Sequence, residues 1–315
     1  MPARPRATDE LSLARFWAPR YWPMWLVLLA MRAIALLPFP AALALGRGFG
    51  RTLRRIKRRE DRTAARNLEL CFPELSAAAR AALLDRHFEA VGMSFVEMAI
   101  GWFWPIERLL ERVEISGAEH VQRALAAGKG VLMVGGHFTT LEVGVAVIES
   151  FVPNCATMYR PQRNAMMDVL IRRGRSRFAQ AQIPRDNVRA LLRSLRANWA
   201  VMYMPDQTYL GSQSKLLPFF GEPALTNTAT SKLAGLSGAA VLPYFFRRLP
   251  DDSRYRVEIG EPLESFPSDD PEADTLRLVA LLEAAIRKAP EQYLWLYKKF
   301  KGRPAPYPDP YRNRA

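Results

Sequence analysis

Val131-Leu132-Met133-Val134-Gly135-Gly136-His137-Phe138-Thr139-Thr140-Leu141-Glu142 decides the fold. An apolar run meets two glycines and a histidine, and a second apolar stretch, Leu141–Glu149, then follows. That order reads as a buried strand, a tight turn and a helix. The alternation recurs outward from it. CATMYR (155–160), AVMYMPD (200–206), AAVLPYFFR (239–247) and YRVEIG (255–260) read as further strands. Ala165–Phe178, Asn187–Ala197, Ser231–Leu236 and Pro271–Ala289 read as helices, as do residues 76–100 upstream. Continuous apolar strands separated by helices predict an α/β fold, a mostly parallel central sheet flanked by helices and buried on both faces. Lys215-Leu216-Leu217-Pro218-Phe219-Phe220-Gly221 reads as an apolar loop, lining an acyl-chain channel or forming ordinary core.

The chain of 315 residues is long enough for one large domain with a substantial core. Lys and Arg number 45 against 31 Asp and Glu, a net charge of +14, which favours anionic partners. Two distant cysteines, Cys71 and Cys155, exclude a disulfide framework. Three histidines leave little room for a multi-His metal site. Met24 to Leu45 is apolar but broken by Arg32 and by Pro38-Phe39-Pro40. It is expected to be an apolar helical membrane anchor, either spanning or as two shorter helices in the interface, with Trp17, Trp22 and Trp25 at the boundary. Between Arg47 and Arg66 stand nine Arg or Lys and two acids, a contact for the cytoplasmic leaflet or a solvated helix face. Residues 1–56 are therefore set apart as a membrane-anchoring segment and 57–315 as the α/β domain.

Chemistry is expected where strands end, because ligands bind beyond the carboxyl ends of strands in open α/β sheets. His137 is the candidate general base, with an ordinary pKa near neutrality. Two roles are open to Glu142. It can bend back to orient the imidazole, or it can close a capping box with Thr139. Arg160 ends the next strand and suits a phosphate or a developing oxyanion. Asp206 ends a third, where it would order Arg160 or a substrate hydroxyl, or serve a turn. Arg189, Arg193 and Arg196 recur at i, i+4 and i+7 and form one cationic helix face, a dock for an acidic carrier protein or plain surface.

Several segments, in matching order and spacing, resemble the bacterial lipid A late acyltransferases within the lysophospholipid acyltransferase-like superfamily. They are the apolar N-terminus with its Arg run, Asn67-Leu68-Glu69-Leu70-Cys71-Phe72-Pro73-Glu74, Trp102-Phe103-Trp104-Pro105, Gly136-His137 with Glu142, Tyr159-Arg160-Pro161, Pro205-Asp206-Gln207, Pro218-Phe219-Phe220-Gly221 and Pro290-Glu291-Gln292-Tyr293-Leu294-Trp295 followed by Lys298-Lys299-Phe300-Lys301. The wider superfamily usually has Asp where Glu142 stands. The resemblance implies a glycerolipid acyltransferase-like fold and transfer of a fatty acyl chain from acyl-acyl carrier protein to a 3-hydroxyacyl hydroxyl of a Kdo-bearing tetraacyl lipid A precursor. It implies catalysis by His137 and Glu142 on the cytoplasmic face of the inner membrane, with no metal and no organic cofactor. An acceptor of another kind, a different glycolipid or an amino-lipid, would leave the same motifs. A non-enzymatic protein binding anionic membranes is the reading from another class. Nucleic acid is not an expected partner, since no recognised module for it is visible.

Overall fold

Each of the five apolar runs read as a strand becomes a strand of one sheet. The computed structural model describes residues 11–178, 180–251 and 254–312. After a 3-10 turn at Pro19–Tyr21 come α1 (Trp22–Leu36), α2 (Phe39–Ile56), α3 (Arg58–Cys71), α4 (Ala77–Phe103) and the short α5 (Ile106–Leu110). The α/β part follows as β1 (Val113–Ser116), α6 (Ala118–Ala126), β2 (Val131–Val134), α7 (Leu141–Phe151), β3 (Cys155–Tyr159), α8 (Ala165–Arg175), β4 (Ala181–Pro184), α9 (Val188–Arg196) and β5 (Ala200–Tyr203). Then come β6 (Ser214–Phe219), β7 (Glu222–Asn227), α10 (Ala229–Ser237), β8 (Ala240–Arg248), β9 (Tyr255–Ile259) and α11 (Pro271–Lys288).

Among the described residues the main sheet has seven strands in the order β1-β9-β8-β2-β5-β3-β4. All neighbours are parallel except β8 and β9. The expected mostly parallel sheet flanked by helices is therefore present. Strand alternation splits β2 between the two faces. Val131 and Met133 join one core with Phe88, Ile100 and Val147, while Leu132 and Val134 join the other with Leu191, Leu195 and Leu233. Helices α2, α4 and α7 thus lie on one face and α9 and α10 on the other.

Four strands, β1, β4, β6 and β7, left no strand signal in the sequence. β1 and β4 are four residues each and carry polar side chains, Glu114 and Ser116 in one and Gln182 in the other. The segment read as an apolar loop is instead the antiparallel hairpin β6–β7, with Leu217 and Phe219 buried. Its turn is Phe220-Gly221, both at positive φ (51° and 79°), the backbone a two-residue hairpin turn needs.

The N-terminal apolar stretch forms two helices. Leu37 is extended before Pro38, because proline disfavours a helical residue ahead of it. α1 has only 15 residues, and among the described residues no helix is long and apolar enough to cross a membrane. α2 packs on α4 through glycines. A Cβ on Gly50 would lie 2.0 Å from the Phe88 carbonyl oxygen, and one on Gly92 would lie 2.1 Å from that of Gly46. Ala35, Phe39, Ala42 and Leu43 join the main core. The opposite side of the pair stays bare, with Trp22, Leu26, Leu29, Leu36, Leu45 and Phe49 exposed. Part of the basic run is paired, Arg51 with Glu89 at 2.7 Å and Arg54 with Asp61 at 2.9 Å.

Candidate active site

Because β2, β3 and β5 run parallel, their carboxyl ends share one edge, and the three strand-end motifs emerge there together. Gly135 leaves β2 against Tyr244; a Cβ there would lie 2.8 Å from the Tyr244 carbonyl oxygen. The chain passes through without a side chain and presents His137. The Nδ1 of His137 lies 2.6 Å from Asp206 Oδ1, and the His137 backbone N–H donates to Oδ2 at 3.0 Å. Tyr293 also donates its hydroxyl to Oδ2, at 3.0 Å. Lys299 donates to the Asp206 carbonyl oxygen at 2.7 Å.

The C-terminal segment braces this pair. Thr139 N–H donates to the Gln292 carbonyl at 2.7 Å, and Leu294 N–H donates to that of His137 at 2.9 Å. Asp206 is buried and His137 half-buried, and Nε2 of His137 makes no hydrogen bond among the described residues. Burial pulls the His137 pKa down, but the charge and hydrogen bond of Asp206 outweigh it and leave it raised. Burial pushes Asp206 up, and His137 with Lys299 reverses that, so its carboxyl sits below its ordinary value. Burial brings Lys299 down to about 8 despite the nearby Asp206.

Glu142 does not reach His137 here. Its carboxylate pairs with Arg175 of α8, whose Nε donates at 3.2 Å and whose Nη2 makes a second, closer bond. Trp102 Nε1 donates to the same carboxylate at 3.2 Å. The capping box does not form either. Thr140 is the N-cap, without a side-chain cap bond, and Thr139 Oγ1 is buried without a partner. Arg175 still acts on His137 at a distance, since its positive charge works to lower the His137 pKa. Two turns beyond on the same helix, buried Glu149 accepts from Thr157, and burial raises its pKa to about 8.

The edge therefore brings together His137 and Asp206, while Glu142 is turned to Arg175. Asp206, expected to order Arg160 or a substrate hydroxyl or to serve a turn, is held on His137. Arg160 is exposed at the rim, and among the described residues its side chain makes no ion pair. Tyr293, Lys299 and Arg175 are the neighbours of the site that local spacing in the sequence does not mark. Behind Asp206, a cavity of about 30 Å³ is lined by Val134, Gly135, Phe219, Phe245, Leu282 and Lys299. That is room for about one water. Among the described residues no group of three or more His, Cys, Asp or Glu is placed to hold a metal ion.

A histidine on a buried aspartate, at the carboxyl edge of an α/β sheet, suits an enzyme that takes a proton from a nucleophile during group transfer. Residues 12–302 match the family model of the bacterial lipid A biosynthesis acyltransferases, and the chain belongs to that family. It is 37% identical to the lipid A biosynthesis lauroyltransferase of Escherichia coli, over 93% of this chain and 96% of that one. It is 38% identical to the palmitoleoyltransferase of the same organism, over 92% and 94%. Identity to the Escherichia coli myristoyltransferase is 28%, over 94% and 92%. The chain is thus an acyltransferase, and the non-enzymatic reading is set aside.

Proposed function

We propose that this enzyme moves a fatty acyl chain from acyl-acyl carrier protein to the free hydroxyl of a 3-hydroxyacyl chain on a Kdo-bearing tetraacyl lipid A precursor. The observation that carries the reading is the 2.6 Å contact between His137 and Asp206 at the shared strand edge. A secondary alcohol must lose its proton as it attacks a thioester. Nε2 of His137 takes that proton, and Asp206 holds Nδ1–H and steadies the imidazolium. The new C–O bond forms and the thioester carbonyl becomes a tetrahedral oxyanion. Its collapse breaks the C–S bond, and His137 returns the proton to the leaving thiolate. Ester and carrier thiol are the products, with no net proton change. Glu142 and Arg175 act beside the dyad, Glu142 holding the guanidinium whose charge faces the imidazole. Arg160 on the rim meets a phosphate of the acceptor.

The exposed apolar side of α1 and α2 is proposed to lie in the cytoplasmic surface of the inner membrane, as a monotopic contact and not a span. The anionic acceptor and an acidic donor both suit the net charge of +14. The test is a purified-enzyme assay with a ladder of acyl carrier protein thioesters and a Kdo-modified tetraacyl precursor. Transfer to the precursor is expected, reduced at least ~100-fold in His137→Ala. Near-wild-type turnover by that variant would remove the mechanism.

A further inference from the structure

The arginines of α9 form a surface that the chemistry above leaves unused. Arg189, Arg193 and Arg196 are all exposed, with Leu192 and Ala197 forming the apolar floor of a groove between them. Their i, i+4, i+7 spacing puts them on one stripe of roughly 10 Å along the helix axis. Neither α9 (Val188–Arg196) nor its neighbour α10 (Ala229–Ser237) contains an Asp or Glu. α10 adds exposed Lys232 and Leu236. Arg189 and Arg193 form no ion pair among the described residues, while Arg196 donates to the Leu236 carbonyl at 2.7 Å. The other face of α9 is fixed, with Leu191 and Leu195 fully buried against the sheet.

Two placements select the occupant. α9 and α10 cover the face of the sheet opposite to α2 and α4, and so opposite to the bare apolar side of α1 and α2. With that apolar side on a bilayer, α9 faces solution, where a protein and not a lipid arrives. α9 also starts at the carboxyl edge of β4. There the Arg185 N–H donates to the Tyr159 carbonyl at 2.8 Å, at the end of β3. The stripe therefore runs away from the edge that carries His137 and Asp206.

We infer that α9 is the docking helix for the acidic carrier protein that delivers the acyl thioester. The inference rests on the donor proposed above. An acidic helix of the carrier lies along the groove, its carboxylates on Arg189, Arg193 and Arg196 and an apolar side chain on Leu192. Its thioester arm then reaches over the strand edge to His137. Complementary charge of this kind acts mainly on encounter and is weakened by salt.

The experiment is steady-state kinetics on full-length enzyme with mixed micelles of the tetraacyl acceptor, varying donor and acceptor separately. The wild type is compared with Arg189→Glu/Arg193→Glu and the milder Arg189→Gln/Arg193→Gln. Melting curves establish that each variant is folded. The Glu pair is expected to raise the KM for acyl-acyl carrier protein at least ~10-fold, and the Gln pair less, with kcat and acceptor KM within about twofold. Rising salt should raise the wild-type donor KM and move the Glu pair little. An unchanged donor KM in the folded Glu pair overturns the inference. So does a rise in acceptor KM, or loss of anionic-vesicle binding, at constant donor KM, which would make the stripe a lipid or phosphate contact. A wild type that transfers acyl groups only from a donor other than the carrier protein overturns the donor reading itself, a result separate from either.

Discussion

His137 Nδ1 and Asp206 Oδ1, 69 residues apart in sequence, meet at 2.6 Å. The pairing gives the aspartate, and not Glu142, the place beside the imidazole. It also sets the direction of a pH effect. In the proposed chemistry His137 works as the neutral base, so activity rises as pH passes upward through its pKa. Asp206 holds that pKa up against burial. Asp206→Asn should therefore move the acid limb of the kcat/KM profile to lower pH. Its plateau should fall at least ~100-fold, because an amide neither fixes the tautomer nor stabilises the imidazolium. A pH–rate profile of both enzymes checks both effects.

Glu142 and Arg175 form a pair with side chains only 9% and 12% exposed. Removing one charge leaves the other buried alone. Glu142→Gln should cost about 3 kcal/mol in urea unfolding. Glu142→Gln/Arg175→Met should regain most of it, since no unpaired charge remains. Equal stability of the single variant and wild type would show that the pair carries no such weight.

Tyr293 is within hydrogen-bond reach of Asp206 Oδ2, and its ring meets Trp295 edge-on at 4.9 Å. Phenylalanine keeps the ring contact and removes the donor. Tyr293→Phe should lower kcat by about 10-fold, as expected for one hydrogen bond to a charged acceptor. Substrate KM values should stay near wild type. Initial rates across both substrates give the split.

Glu149 has a folded pKa of about 8, raised by burial. Between its ordinary value and about 8 the folded state holds more protons than the unfolded one. Stability from this site is therefore complete at acid pH and is lost as pH rises through about 8. Glu149→Gln resembles the neutral acid and keeps an acceptor for Thr157. Its melting temperature relative to wild type should climb steadily from about pH 5 to pH 8. A constant difference across that range would refute the assignment.

Gly50 lets α2 touch α4, since an added Cβ would meet the Phe88 carbonyl oxygen at 2.0 Å. Gly50→Ala should cost about 2–3 kcal/mol by forcing the helices apart. Vesicle binding should weaken in step, because α2 carries exposed Leu45 and Phe49. Denaturation and co-sedimentation measure the two losses. For the same reason, deleting residues 1–45 should destabilise the whole protein, as Phe39, Ala42 and Leu43 belong to the main core.

The sequence by itself determined the sheet's centre. The runs at 131–136, 155–160, 200–206, 239–247 and 255–260 are apolar because β2, β3, β5, β8 and β9 are largely buried, and burial writes itself directly into composition. It likewise placed His137, Arg160 and Asp206 at strand ends, since glycine, proline and charge mark where an apolar strand stops. Four-residue β1 and β4 and the β6–β7 hairpin left weaker marks, being short or half-exposed. Which strand-end groups touch was decided only by the tertiary structure. Glu142 lies five residues from His137 yet turns to Arg175, while Asp206 and Tyr293 reach the site from far along the chain. Local spacing limits what a side chain can reach. Which partner it takes depends on strand order and on the balance of buried charge, and both arise from contacts between distant segments.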